Sequence, residues 1–192
     1  MLLTELLVEK ISTLAHIAEE TLKQNANTIN EVSALFSNTL KAGKTIFWCG
    51  NGGSASESSH LATELIGRFK GNRVALPSIT LNADTTAITC IANDFGYDEI
   101  FARQLSGLGN SGDLLVVLST SGNSPNILKV LEQANLMGIK SIAFLGKNGG
   151  FAKDKADYQI VVPSEETARI QEVHLLIGHT LCEITELDLG LA

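Results

Sequence analysis

Apolar positions near the start of the chain recur at helical spacing. Leu3, Leu7, Ile11, Leu14, Ala18 and Leu22 are separated by four, four, three, four and four residues, which lays one stripe along a helix. A second helix is predicted from Thr28, where Thr28-Ile29-Asn30-Glu31 has the capping-box pattern, to about Gly43. No strand precedes this helical pair, so neither helix can be a crossover within a sheet. Their apolar faces must cover a core edge or another subunit.

From Lys44 the period changes. Short β-rich runs near Thr45 to Cys49, Ser78 to Leu81, Leu114 to Leu118, Ser141 to Leu145 and Gln159 to Val162 alternate with helical segments. Runs that are apolar throughout, such as Leu114-Leu115-Val116-Val117-Leu118, suit a parallel sheet covered on both faces. The pattern predicts an α/β, doubly wound, five-stranded sheet in the order 2-1-3-4-5. A long last helix is predicted from about Glu165 to Leu187, capped by Ser164. The chain then reads as one domain, 1–192, with helices over 1–43 used in packing and oligomerisation and an α/β core over 44–192.

In this strand order the turns after the first and third strands flank the crevice where ligands bind. Those turns are Gly50-Asn51-Gly52-Gly53-Ser54 and Ser119-Thr120-Ser121-Gly122-Asn123-Ser124-Pro125. Ser124 is placed as an N-cap and Pro125 as the first helical residue. Free amides at that helix start, with the hydroxyls of Ser119, Thr120, Ser121 and Ser124, would cradle a phosphate; an ordinary hydroxyl-capped turn is the plainer alternative. Gly50-x-Gly52-x-x-Ala55 also fits a loose dinucleotide fingerprint, but its acidic partner would have to be Asp84, well beyond the roughly 20 residues expected.

Charge sharpens this reading. Lys plus Arg number 14 against 21 Asp plus Glu, a net charge of −7, which argues against a nucleic-acid platform. Any anion must be held locally. No apolar run approaches a membrane span and Met1 to Lys10 lacks a signal-peptide pattern, so a cytoplasmic protein is expected. Cys49, Cys90 and Cys182 are odd in number and widely spaced, as expected of reduced, mostly buried thiols.

His60 and Glu64 are four apart on the helix that opens at Ser54, and so share a face. The last helix carries a main stripe of Ile170, Val173, Ile177, Leu181 and Ile184, and a second apolar face of Leu175, Gly178 and Cys182 between Gln171 and His179. A helix apolar on two sides is buried, and its Gln and His need partners. If the two faces meet, two imidazoles, a carboxylate and an amide can either hold a divalent metal such as zinc or shuttle protons. His174 reads as a packed histidine with a satisfied ring nitrogen, and His16 as a surface residue.

The segments CGNGGSAS (49 to 56), HLATELIGR (60 to 68), ANDFGY (92 to 97), STSGNS (119 to 124), GKNGG (146 to 150) and RIQEVH (169 to 174) together resemble the phosphoheptose (sedoheptulose 7-phosphate) isomerase family of sugar-isomerase (SIS) domain proteins. The resemblance implies conversion of D-sedoheptulose 7-phosphate to D-glycero-D-manno-heptose 7-phosphate through a cis-enediol, the entry to ADP-heptose and lipopolysaccharide core synthesis. It implies a homotetramer with active sites at subunit interfaces. It also implies one zinc ion per subunit, held by His60, Glu64, Gln171 and His179. Substrate contacts map to Asn51, Gly52, Gly53, Ser54, Glu64, Asn93, Asp94, Ser119, Thr120, Ser121, Ser124 and Gln171, with Arg68 and Arg169 nearby. Glu64 is the expected base and His179 the expected acid, with Asp94 assisting ring opening or orienting hydroxyls. Two other readings fit the same loops: a non-catalytic SIS module that binds the replication initiator, and an isomerase of a shorter phosphosugar. The presence of both Glu64 and His179 favours the enzyme over the module.

Overall fold

Five strands form one parallel sheet: β1 (Ile46–Gly50), β2 (Ser78–Thr80), β3 (Leu114–Ser119), β4 (Lys140–Gly146) and β5 (Tyr158–Val162). The coordinates are a computed structural model that describes residues 2–192. The strand order is β2-β1-β3-β4-β5, as predicted, so β1 and β3 are neighbours and register Ile46 against Leu114 through Gly50 against Leu118. Helices α1 (Leu3–Lys41), α2 (Gly53–Ile66) and α6 (Thr167–Asp188) cover one face, and α3 (Thr85–Phe95), α4 (Ile100–Leu108) and α5 (Pro125–Met137) the other.

The two cores follow from the pleat, which sends alternate side chains to opposite faces. Leu114, Val116 and Leu118 pack with Phe36, Trp48, Leu61 and Leu181, while Leu115 and Val117 pack with Phe101, Leu105 and Val130. Every residue of β3 is buried, which is why its sequence shows no polar alternation. Trp48 sits edge-on to Phe36 at 5.7 Å and donates its indole N–H to Ser78 Oγ at 2.9 Å, so the largest core side chain leaves no orphan donor.

The predicted helical pair is a single helix. α1 runs unbroken for 39 residues, and the capping-box pattern at Thr28 to Glu31 starts nothing. The polar interruption has another cause: the Asn25 amide meets edge strand β5, donating to Val161 O (3.2 Å) and accepting from Val161 N (3.3 Å). An edge strand's unpaired groups are thereby covered from outside the sheet. The C-terminal half of α1 buries Val32, Phe36 and Leu40 in the core, whereas Leu3, Leu7, Ile11 and Leu22 of the sequence-level stripe are more than half exposed.

α6 begins at Thr167 rather than Glu165, because Ser164 Oγ accepts from Glu166 N and closes a turn ahead of the helix. Cys49 and Cys182 are buried and Cys90 is exposed, all free. No helix among the described residues is long and apolar enough to cross a membrane.

Candidate active site

The loops after β1 and β3 meet at the C-terminal edge of the sheet, where the strand order reverses. Asn51 and Asn126 exchange two amide hydrogen bonds of 2.9 Å, tying the first loop to the first turn of α5. Tyr97 adds its hydroxyl to Asn51 Oδ1 at 3.2 Å. Asn82 closes the other side, accepting from Gly50 N and donating to Gly50 O, as a continued β2 would.

The serine loop shapes itself with some hydroxyls and leaves others free. Ser119 Oγ accepts from Gly122 N at 3.1 Å and Ser121 Oγ from Asn123 N at 3.3 Å. Ser124 is the N-cap of α5 and Pro125 its first residue, but the Ser124 hydroxyl makes no cap bond. It is therefore free for a ligand, although of the amides that open α5 those of Ile127 and Leu128 already donate to Ser124 O (3.0 and 3.1 Å) and Pro125 has none.

The GKNGG turn and the two residues after it buttress this loop. Ala152 N donates to Gly122 O at 2.9 Å and Phe151 N to Asn123 Oδ1 at 3.1 Å. Gly122 has φ +65°, and a Cβ there would lie 2.0 Å from Gly149 O, so only glycine allows the two loops to touch.

Parallel helices α2 and α6 lie side by side and carry the titratable residues. Gly53 faces Gln171, whose Nε2 would be 2.2 Å from a Cβ at that position, and Leu61 packs on Gly178. Beside that contact, about two helical turns from Gly53 and Gln171, the Nε2 atoms of His60 and His179 are 2.8 Å apart, so one ring donates and the other accepts. Glu64 Oε1 lies 3.3 Å from His60 Nε2. Among the described residues these three side chains form the one His, Cys, Asp and Glu cluster whose potential ligand atoms all lie within 4.8 Å of one another.

Not every expected site residue joins them. Gln171 is eight residues before His179 on α6, about 12 Å along the axis, and cannot reach the cluster in its own chain. Glu64 is eleven residues beyond Gly53 on α2, about 16 Å from the loop end of that helix. Asn93 and Asp94 are exposed on α3, across the sheet, where Asn93 donates to Asp94 Oδ1 at 2.7 Å. Arg68 is exposed just after α2, and Arg169 donates to Glu172 at 2.6 Å while its buried Nε has no partner. Ser54 is buried and Gly52 exposed at the start of α2, and Thr120 is half-buried.

His174 is fully buried, with Nε2 3.0 Å from Leu145 O, the packing role its position suggested. Burial drives its imidazole down to about 4 against the pull of that carbonyl. Sequence reasoning missed Asn126, Phe69, Glu57 and the Arg73–Glu186 pair. Glu57 is 6% exposed with Oε2 unpartnered, and burial pushes its carboxyl up to about 7, with Ser54 opposing. Burial also acts to raise Glu186, but the amides of Gly71, Phe69 and Lys70, with Arg73, outweigh it and bring the carboxyl to about 2. A signal for Glu186 was present: an acid four residues after buried Cys182 on an apolar helix face needs a partner.

Known proteins share this sequence and fold. The SIS domain family pattern matches residues 11–146. The phosphoheptose isomerase of Akkermansia muciniphila is 49% identical over 164 residues, covering 85% of this chain and 87% of its own. The chain belongs to the phosphoheptose isomerase family. Among solved SIS domain structures, the phosphoheptose isomerase GmhA from Neisseria gonorrhoeae superposes with a TM-score of 0.90 at 33% identity, over 97% of this chain and all of that one. The phosphoheptose isomerase from Francisella tularensis gives 0.91 at 34%, with the same coverage. In this SIS domain the crevice holds the glycine and serine loops, and the α2–α6 seam holds the His60, Glu64 and His179 cluster.

Proposed function

We propose that the protein is a cytoplasmic aldose–ketose isomerase that converts D-sedoheptulose 7-phosphate to D-glycero-D-manno-heptose 7-phosphate, the first step toward ADP-heptose. The observation that carries this reading is the contact of Glu64 with His60, and of His60 with His179, in a chain of the phosphoheptose isomerase family. A carboxylate and an imidazole are what a proton transfer between adjacent carbons requires.

In the reaction Glu64 takes a proton from C1 of the open-chain ketose. The C–H electron pair forms the C1–C2 double bond, and the C2 carbonyl oxygen takes a proton from His179, giving a cis-enediol. The O1–H proton then passes to His179, restoring its acid form, C1 becomes the aldehyde carbon, and C2 receives the proton held by Glu64. The phosphate stays on the hydroxyls and amides of Ser119 to Ser124, with Asn51 to Ser54 and Gln171 as the facing wall. That remote binding holds C1 and C2 in register.

Two imidazoles and a carboxylate with clustered donor atoms fit a three-ligand zinc site with an open position. When bound there, zinc supplies Lewis-acid stabilisation of charge on the reacting oxygens. Gln171 would complete the set only from a neighbouring subunit. The same consideration extends to the whole site: the serine loop and Glu64 lie at opposite ends of α2, so a homotetramer with shared sites brings together what one chain separates. The exposed apolar stripe of α1 supports such an assembly.

The test is an isomerase assay with sedoheptulose 7-phosphate on wild type and Glu64→Gln, with metal analysis of both. Wild type is expected to be active and the variant to lose about 10²- to 10⁴-fold in kcat. A wild type that binds phosphosugars without converting any would favour the regulatory module, and conversion of shorter phosphosugars alone would change the substrate.

A further inference from the structure

We propose that Phe69 is a positioning residue for His179, held in place by a buried clamp between Arg73 and Glu186. The inference rests on the proposed role of the His60, Glu64 and His179 cluster and concerns what keeps that cluster in shape.

The segment 67–74 after α2 has no helix or strand to fix it. It is fixed by Glu186 of α6. One carboxylate oxygen accepts from Phe69 N (3.0 Å) and Arg73 Nε (2.8 Å), the other from Lys70 N and Gly71 N (both 3.0 Å). Arg73 also donates to Leu65 O and Glu64 O (both 2.7 Å) and to Val74 O (2.9 Å). Both charged side chains are 1% exposed. A buried ion pair is a poor way to gain stability compared with apolar packing, so its value here lies in the geometry it imposes.

That geometry acts on the cluster at two points. Arg73 holds the backbone carbonyl of Glu64 itself. Phe69, its amide pinned by Glu186, lays its ring on the His179 imidazole at 5.6 Å between centroids and 20° between planes. The His60 ring closes in edge-on at 5.0 Å and 86°. A functional histidine is usually oriented by a hydrogen bond to its second ring nitrogen. Among the described residues the His179 side chain makes no hydrogen bond besides the one to His60, and the flat contact with Phe69 takes that place.

The test compares Phe69→Leu, which keeps apolar bulk but no ring, with Phe69→Tyr, which keeps the ring. Zinc affinity is measured by competition with a chromophoric chelator, alongside kcat, KM and Tm. Phe69→Leu is expected to weaken zinc binding by about 10-fold and to lower kcat by a similar factor, with KM and Tm near wild type. Phe69→Tyr is expected to restore both losses. A Leu variant with wild-type zinc affinity and kcat overturns the inference, as does a Tyr variant as impaired as Leu or a wild type with no measurable zinc affinity. A wild type that binds zinc but does not isomerise overturns the proposed function instead, and the affinity series still decides the role of Phe69.

Discussion

Glu57 and His174 are buried titratable groups that the proposed chemistry does not use, and their effects on stability oppose each other. Glu57 titrates near 7 when folded against an ordinary 4.5, so the folded chain binds its proton more tightly. Its contribution is full below pH 4.5 and is lost as pH rises through about 7. His174 is depressed to about 4 from 6.5, so its contribution is full above 6.5 and is lost as pH falls through about 4. Between 4.5 and 6.5 the two slopes cancel. Glu57→Gln removes one of them, and urea unfolding should then show stability climbing with pH across that window by up to about 1.4 kcal/mol per unit. A variant whose pH profile matched wild type would refute the assignment. At this scale His174 was legible from its place beside the main stripe of α6. Glu57 was not, because Ser56 beside it and His60 three residues on both face solvent, and the polar run Ser56 to His60 gave no sign that the helix turns it inward.

Elements were legible where one face of a segment meets one partner, and less so where a contact comes from a distant element. The five strands and their order followed from apolar runs and turn chemistry, and each observed strand lies within two residues of its predicted ends. The break proposed in α1 failed because Asn25, a poor helix former, is retained for its bond to Val161, 136 residues away. GKNGG was visible as a motif without a purpose, and the structure gives it one as the floor under the serine loop. Gly122→Ala puts a side chain at φ +65° and 2.0 Å from Gly149 O, so the two loops must part. The expected outcome is a KM for the phosphosugar raised at least about 10-fold with a smaller change in kcat, since uniform phosphate binding is what is lost. Thermal unfolding should also fall by several degrees, consistent with roughly 1 to 3 kcal/mol of backbone strain. An unchanged KM would mean that the serine loop does not hold the phosphate.

At the scale of the whole molecule, the sequence brought all the site residues into one list, but one chain does not bring them into one place. The loops stand at the C-terminal edge of the sheet, while α2 carries Glu64 about 16 Å away toward the other edge. Helical spacing reports which residues share a face, and contains nothing about whether the opposing wall comes from the same chain or from another copy. This separation makes a hybrid experiment decisive. Glu64→Gln keeps an intact serine loop, and Ser121→Ala/Ser124→Ala keeps an intact Glu64, so each alone should be nearly inactive. Co-expressed in equal amounts and assembled at random, they place an intact loop against an intact Glu64 in about a quarter of shared sites, and should recover about a quarter of wild-type activity. Sites built within single chains would recover none, because no chain in the mixture carries both halves. Recovery near a quarter, lost when α1 is made polar by Leu7→Glu/Ile11→Glu and the oligomer falls apart on light scattering, would tie the exposed stripe of α1 to catalysis through assembly alone.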